Sequence, residues 1–153
     1  MRTWLSLLLL ALACGSAAAG GGDVVPVDSS TFDTLVVQAL ETWVVEFYSP
    51  RCGTCAELAP LYTELARRHG DRLHFGGVDI DTDAGMELAQ RLDVLSEGVP
   101  SVKAYTSLGS QHGVTVFSGW QVPSLDDLER SLLAVVHTEG GDAAEDGARL
   151  MKA

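Results

Sequence analysis

The stretch 43–69 joins an apolar run to two closely spaced cysteines and then to a helical pattern. Residues 43–48, WVVEFY, are rich in β-branched and aromatic side chains and predict a buried strand. Side chains at helical spacing then mark one face of a long helix that starts near Cys55: Leu58, Ala59, Tyr62, Leu65, Ala66 and His69. A buried strand that runs directly into a helix is typical of α/β domains, so this stretch constrains the fold more than any other.

Further strands are predicted on both sides of this stretch. Residues 24–27 form a short apolar run interrupted by Pro26, which suits an edge strand because proline cannot donate to a sheet ladder. Residues 73–80 indicate another strand, and the segments 101–106 and 114–118 are joined by the turn-rich SLGSQHG. We expect the last two segments to form a hairpin.

Three more helices are predicted, at about 32–40, 88–92 and 124–136. Ser30 with Asp33, and Ser124 with Asp127, have the spacing of residues that cap a helix start. We expect Pro60 to kink the long helix, because proline removes a helical hydrogen bond. Strands and helices therefore alternate, which predicts an α/β domain with a mixed central sheet and helices on both faces.

The charge balance excludes one class of function. The chain has 10 Lys and Arg against 21 Asp and Glu, a net charge of −11, and no basic stripe that could neutralise phosphates. We therefore expect no nucleic-acid partner. The 153 residues, of which 46% are hydrophobic and 20% charged, suffice for one globular domain with a hydrophobic core.

The first 19 residues have the layout of a secretory signal peptide. Arg2 gives a positive start, residues 4–13 are apolar apart from one serine, and Ala17 and Ala19 are placed for cleavage before Gly20. The apolar core is too short to span a bilayer, which takes about 20 residues. A lipid-bearing Cys14 is an alternative, but the residues before it match that pattern poorly.

These features divide the chain into a signal peptide at 1–19, one domain at 20–137 and a flexible, acidic and glycine-rich tail at 138–153. We expect no membrane span, and the exported chain would keep only Cys52 and Cys55. Export places it in the secretory pathway, either in the lumen of the endoplasmic reticulum or secreted. Its last residues, LMKA, are not a KDEL-type retention signal.

The spacing of Cys52 and Cys55 has three possible uses. A disulfide across two residues restrains little of the unfolded chain, so a purely structural bridge contributes little. A structural zinc site needs four ligands, and the four histidines are scattered without ligand spacing, so we expect no metal. A reactive thiol pair fits better. Cys52 would lie at a helix start, where backbone N–H groups favour a thiolate, with positive Arg51 beside it, and Cys55 could resolve a mixed disulfide.

The segment EFYSPRCGTCAELAP resembles the active-site segment of the thioredoxin superfamily, and most closely that of its protein disulfide isomerase branch, EFYAPWCGHC. GVPSVKAY, at 98–105, resembles the second landmark of the family, a cis-proline loop that faces the cysteines. FSGW and the helix after it resemble the closing strand and helix. The resemblance covers residues 24–137 and implies a thioredoxin-like fold.

The resemblance also implies catalytic roles. Cys52 corresponds to the nucleophile and Cys55 to the resolving cysteine, and together they would form the redox-active disulfide. Glu46 matches the buried acid beneath the pair, which would relay the proton of Cys55. A strand glutamate on a solvated face is the alternative for Glu46, but its apolar neighbours favour burial.

On the substrate side, Pro100 matches the cis-proline, and Val99 would pair its backbone with a substrate strand. Arg51 completes the predicted substrate-binding set, although it stands where the family usually has tryptophan. Thr54 replaces the histidine of isomerases, and Gly77 stands where relatives often carry a lysine that pairs with the buried acid. These departures imply a less oxidising and slower enzyme than a full isomerase.

The resulting hypothesis is an exported thiol–disulfide oxidoreductase, similar to a protein disulfide isomerase, that works without a cofactor. Its partners would be cysteine-containing client proteins and a redox partner (an oxidase, glutathione or a reductase), and we expect a monomer. Two alternatives remain. One is a redox-weak client-binding or chaperone module on the same scaffold, and the other is an extracytoplasmic thioredoxin-like reductase that needs an electron donor.

Overall fold

The structure, a computed structural model, describes residues 23–106 and 111–150, with side chains described up to residue 138. Within these residues the strands are β1 (Val24–Pro26), β2 (Trp43–Tyr48), β3 (His74–Asp79), β4 (Ser101–Tyr105) and β5 (Val114–Ser118). The α-helices are α1 (Gly53–His69), α2 (Asp83–Arg91) and α3 (Leu125–Leu150). The predicted signal peptide, 1–19, lies outside the described residues.

The strands form a mixed five-stranded sheet in the order β1-β3-β2-β4-β5. Strands β1 and β2 each pair in parallel with β3, β4 runs antiparallel to β2, and β5 runs antiparallel to β4. The predicted edge strand and hairpin are confirmed. Because β2 is central, Glu46 lies in the middle of the sheet, opposite Gly77 of β3 and Val102 of β4.

Two hydrophobic clusters cover the two faces of the sheet, as predicted for helices on both sides. One joins α1 and α3 to the sheet through residues such as Leu58, Leu65, Leu128, Leu132 and Phe75. The other joins α2 and the segments around it to the opposite face through Phe32, Val36, Phe47, Val78 and Leu88. Alternate side chains of β2 pack into the two clusters, because successive side chains of a strand point to opposite faces of the sheet. This double burial explains why the run 43–48 is apolar at nearly every position.

Helix α1 begins two residues earlier than predicted and continues without a break through Pro60. Cys52 is its N-cap, and its sulfur accepts a hydrogen bond from the Cys55 N–H at 3.1 Å. Tyr62, fully buried on the inner face of the helix, donates to the backbone carbonyls of Val44 on β2 and Gly76 on β3, at 2.8 and 2.9 Å. These bonds tie the helix that carries the cysteines to the centre of the sheet.

The segment before β2 differs from the prediction. The residues expected to form a capped α-helix form one π-helical turn, Asp33–Val37, and Ser30 does not cap it. Asp28 instead caps the turn that precedes the π-helical turn. Its carboxylate accepts hydrogen bonds from the backbone N–H groups of Ser30 and Thr31, at 2.9 and 3.1 Å. An aspartate that accepts from two backbone N–H groups stabilises the turn.

At the other end of the chain, α3 starts as predicted. The Asp127 N–H donates to the Ser124 hydroxyl at 3.2 Å, and that hydroxyl donates to the Asp127 carboxylate at 2.7 Å. The helix runs to Leu150, beyond the end predicted at Val136. The flexible character of 138–153 and the domain boundaries remain predictions.

A buried lysine fixes the loop before β4. Lys103, 4% exposed, donates its ammonium to the Glu97 carboxylate and to the Thr115 hydroxyl of β5, at 2.5 and 3.1 Å. Thr115 in turn donates to Glu97 at 3.0 Å. Since Glu97 precedes Val99 and Pro100 by two and three residues, this cluster holds the loop against the β4–β5 hairpin.

Candidate active site

The two cysteines form a disulfide at the first turn of α1, with their Cα atoms 5.2 Å apart. They differ in exposure. Cys52 is partly accessible where the loop from β2 meets the helix, whereas Cys55 is 3% exposed and faces the core. The thiolate of a protein client can therefore approach the sulfur of Cys52, whereas the sulfur of Cys55 is buried behind it.

Hydrogen-bond donors surround the sulfur of Cys52. The Cys55 N–H lies 3.1 Å away, and the Thr54 hydroxyl lies 3.2 Å away and is the donor, since a disulfide sulfur carries no proton. Donors at a helix N-terminus stabilise negative charge on sulfur and lower the pKa of a thiol. Thr54, which replaces the histidine of isomerases, therefore supplies a hydrogen-bond donor of its own to Cys52.

Glu46 is buried, as its apolar neighbours predicted, with 5% of its surface exposed. Burial alone raises the pKa of its carboxyl from the ordinary 4.5 to about 7, and no described residue donates a hydrogen bond to its Oε1. The carboxyl lines a cavity of about 300 Å³ that Cys55 also lines. A group that exchanges a proton near neutral pH thus lies on the same cavity as the buried cysteine.

The loop before β4 faces the disulfide. The Val99–Pro100 peptide bond is cis, and the carbonyl oxygen of Val99 lies 4.0 Å from the sulfur of Cys52. Gly119 donates its N–H to the Pro100 carbonyl at 3.3 Å, and Trp120, which follows it, is 88% exposed. The structure therefore brings Val99 next to Cys52 and leaves a large aromatic ring exposed one residue from the partner of Pro100.

Arg51 adjoins Cys52 in sequence, but its guanidinium is bound elsewhere. It forms two hydrogen bonds with the Asp81 carboxylate, at 2.8 and 2.9 Å, and Asp81 also accepts from the Ser49 hydroxyl at 3.1 Å. The hydrogen bond from Arg51 lowers the pKa of Asp81. The positive charge predicted beside Cys52 is thus neutralised by a carboxylate, and a role of Arg51 in substrate binding remains a prediction.

The acidic run Asp79, Asp81 and Asp83 forms a turn and the start of α2. Thr82 caps α2 by accepting from the Gly85 N–H at 3.0 Å, and Asp79 accepts from the Asp81 N–H at 2.9 Å. Among the side chains that the structure describes, no three of His, Cys, Asp and Glu are grouped to hold a metal ion. No helix within the described ranges has the length and apolarity that crossing a bilayer requires.

Relatives of the chain have names that agree with this geometry. It is 37% identical over 108 residues to the "Protein disulfide-isomerase A6 homolog" of Drosophila melanogaster, covering 69% of this chain and 24% of the relative. It is 31% identical over 128 residues to "Protein disulfide-isomerase like 2-2" of Arabidopsis thaliana, covering 80% and 28%. A third, "Protein disulfide isomerase-like 1-3" of Oryza sativa subsp. japonica, is 38% identical over 109 residues, covering 69% and 19%.

The chain spans a quarter or so of the length of these relatives. The similarity extends over the strands and helices that hold the cysteines and the cis-proline, because the family model described as Thioredoxin matches residues 23–117. That match includes β1 to β4 and most of β5. The chain therefore belongs to the thioredoxin family.

Proposed function

We propose that the chain is a thiol–disulfide oxidoreductase, similar to protein disulfide isomerases, that acts on the cysteines of client proteins. The observation that carries the proposal is the disulfide at the start of α1, with Cys52 accessible and Cys55 buried. Thiol–disulfide exchange needs one sulfur that a partner can reach and a second sulfur that resolves the mixed disulfide. The names of the relatives and the family match support the same activity.

In the oxidising direction, a client thiolate attacks the sulfur of Cys52. The bond between the two enzyme sulfurs breaks, its electron pair passes to Cys55, and Cys55 takes up a proton. A second client thiolate then attacks the client sulfur of the mixed disulfide, which closes the client disulfide and releases Cys52 as a thiolate. Two electrons pass from client to enzyme, and the same steps in reverse reduce a client disulfide.

Four groups would assist these steps. Glu46 carries a pKa of about 7 and lines the same cavity as Cys55, so it can give a proton to the Cys55 thiolate or take one from the thiol. The Thr54 hydroxyl and the Cys55 N–H stabilise the Cys52 thiolate. The backbone of Val99, 4.0 Å from Cys52, is placed to pair with an extended client segment.

A trapping experiment tests this proposal. Cys55→Ser removes the resolving thiol, so Cys52 is expected to accumulate a mixed disulfide with an oxidised client, visible on a non-reducing gel and by mass spectrometry. The matched variant Cys52→Ser keeps only the buried thiol and is expected to form no such adduct. If Cys55→Ser forms no adduct, and the pair of the unmodified chain does not cycle in glutathione buffers, the proposal fails.

The reduction potential sets the direction of the reaction. A value near about −180 mV, as in protein disulfide isomerase, would make the domain a donor or shuffler of disulfides. A value near about −270 mV, as in thioredoxin, would make it a reductant that depends on an electron supply. Equilibration against glutathione buffers measures it directly.

A client-binding module that uses the cysteines little is the second candidate. The exposed ring of Trp120 favours it, because this residue follows the glycine that bonds to the cis-proline loop. Such a module is expected to protect a client from aggregation fully after Cys52→Ser with Cys55→Ser, and to lose protection after Trp120→Ala. Leu40→Ala is the matched control, since Leu40 is 87% exposed but precedes β2, at the end of that strand away from the cysteines.

We further propose that the chain enters the secretory pathway and acts in the endoplasmic reticulum lumen or after secretion. The layout of residues 1–19 supports this location. Expression of the full chain in a eukaryotic secretory system, followed by N-terminal sequencing, tests it. A mature protein that begins at Gly20 is the expected result, and an uncleaved cytosolic product would contradict it.

A further inference from the structure

The cavity behind the disulfide opens to the surface between β1 and α1. Its mouth is formed by the exposed residues Pro26, Ala59 and Thr63, and its floor by the buried residues Glu46, Cys55 and Tyr62. The volume of about 300 Å³ is at the lower limit of small-molecule sites, which span roughly 300–1,000 Å³. A small ligand can therefore enter and reach the carboxyl at the bottom.

The floor contains an acceptor without a donor. Glu46 is 95% buried, and none of the described residues donates a hydrogen bond to its Oε1. The buried hydroxyl of Tyr62 is engaged with two backbone carbonyls. Among the described residues, no lysine, arginine or histidine lines the cavity. A buried carboxylate without a partner is costly, so a ligand that supplies a donor and a positive charge gains free energy at this position.

We propose that this cavity binds a primary ammonium group carried on an unbranched aliphatic chain, with the ammonium paired to Glu46. The aliphatic chain would lie along the apolar wall toward the mouth, against Pro26 and Ala59. An ammonium is a compact point charge with three donors, which suits a narrow site that offers one unpartnered oxygen. The net charge of −11 attracts cations and repels anions, so a carboxylic acid of the same length is a poor ligand.

The experiment uses the full chain in its disulfide form, so the cysteines do not titrate and no turnover takes place. n-Butylammonium and its neutral counterpart 1-butanol are each titrated at pH 8, and the amide signals of Ala59 and Gly77 are followed by NMR. We expect n-butylammonium to shift these signals and to bind about tenfold or more tightly than 1-butanol. Equal affinities for the two probes, or no binding of either, would overturn the proposal.

Three variants locate the site. Glu46→Gln keeps the shape of the side chain and removes the charge, so it is expected to reduce n-butylammonium affinity to that of 1-butanol while leaving 1-butanol unaffected. Ala59→Leu fills the mouth and is expected to weaken both probes. Ala56→Leu, the same change at an exposed position of α1 that does not line the cavity, should weaken neither. Full affinity for n-butylammonium in Glu46→Gln would refute the ion pair.

Binding should also depend on pH, with a sign set by Glu46. Because the pKa of its carboxyl is about 7, the affinity for n-butylammonium is expected to fall about tenfold from pH 8 to pH 6. The other groups facing it stay uncharged in this window. Tyr48 and Tyr62 have pKa values raised above 10, Cys55 is in the disulfide, and β1 and β3 contribute only Val24, Pro26 and Gly77. An affinity that is flat over this range would contradict the assignment of Glu46.

The ammonium could come from a free alkylamine or from a lysine side chain of another protein. A capped tripeptide, acetyl-Gly-Lys-Gly-amide, and the same peptide with an acetylated lysine distinguish the two. If the lysine peptide displaces n-butylammonium and the acetylated peptide does not, a lysine side chain can occupy the site. If neither peptide displaces n-butylammonium, the site takes free amines. Displacement by both peptides alike would mean that charge is not recognised and would overturn the proposal.

Discussion

Replacing Glu46 with glutamine should raise the free energy of unfolding, but only above about pH 4.5, where the carboxyl begins to ionise in the unfolded chain. The pKa of the carboxyl is about 7 in the folded protein and 4.5 when the side chain is solvated. The folded state therefore binds this proton more tightly than the unfolded state does. As the pH rises from 4.5 to about 7, the unfolded state loses this proton before the folded state does. The free energy of unfolding is therefore highest below pH 4.5 and decreases until the pH reaches about 7.

The size of the effect follows from the two values. Each pH unit between them corresponds to about 1.4 kcal/mol, so the ionised carboxylate destabilises the fold by about 3 kcal/mol at pH 8. Glutamine has nearly the same shape and stays neutral. The difference in free energy of unfolding between Glu46→Gln and the unmodified chain should thus be near zero at pH 4 and about 3 kcal/mol in favour of the variant at pH 8.

Urea denaturation of the disulfide form, at intervals from pH 4 to pH 8.5, measures this difference. Comparing the two proteins at each pH cancels the titration of every other group that the substitution leaves unchanged. Glu57→Gln, an exposed carboxyl on α1, is the control and should show no rising difference. A Glu46→Gln variant that is less stable at pH 8, or a difference that does not change with pH, would refute the reasoning that burial alone sets this pKa.

Three further substitutions test the packing. Lys103→Met removes the partner of Glu97 and should lower the free energy of unfolding by about 1–3 kcal/mol. Adding Glu97→Gln to this variant should recover part of the lost stability. If the losses of the two substitutions simply add, the two residues are not coupled. Tyr62→Phe leaves two buried carbonyls without their donor and should cost about 1–3 kcal/mol in urea denaturation, so a neutral result would contradict those hydrogen bonds. Gly85→Ala would place a Cβ 1.9 Å from the Asp79 carbonyl oxygen, so the start of α2 must move, and a loss of about 1–3 kcal/mol is expected. An unchanged midpoint for Gly85→Ala would show that this turn adjusts freely.

The features predicted most closely from the sequence are those in which a residue's neighbours decide its structure. β2 occupies the residues 43–48 that were predicted, because both faces of this strand are buried and nearly every position is apolar. The cap of α3 is local in the same sense, since Ser124 and Asp127 are three residues apart. The burial of Glu46 followed from the apolar residues on either side of it.

What the sequence could not predict depends on residues that are distant along the chain. Asp81 lies 30 residues after Arg51, so the ion pair that neutralises this arginine has no local signal. The cavity beside Glu46 results from the packing of α1 against β1, two elements that are separated by β2. At residues 28–37 the sequence is ambiguous, because Asp28 and Ser30 can both cap a turn. In the structure Asp28 is the residue whose carboxylate accepts the backbone hydrogen bonds.

The ion pair between Arg51 and Asp81 has a consequence for how the site responds to salt. With that charge neutralised, the nearest groups acting on the Cys52 sulfur are the dipoles of the Cys55 N–H and the Thr54 hydroxyl, both within 3.2 Å. Salt screens charges over a Debye length of about 8 Å at physiological ionic strength, and it barely affects dipoles in direct contact. The rate of exchange with an uncharged thiol should therefore change little with ionic strength, whereas the attraction of basic clients to a chain of net charge −11 should weaken. Salt would then regulate which clients arrive, while the reactivity of the sulfur they meet stays constant.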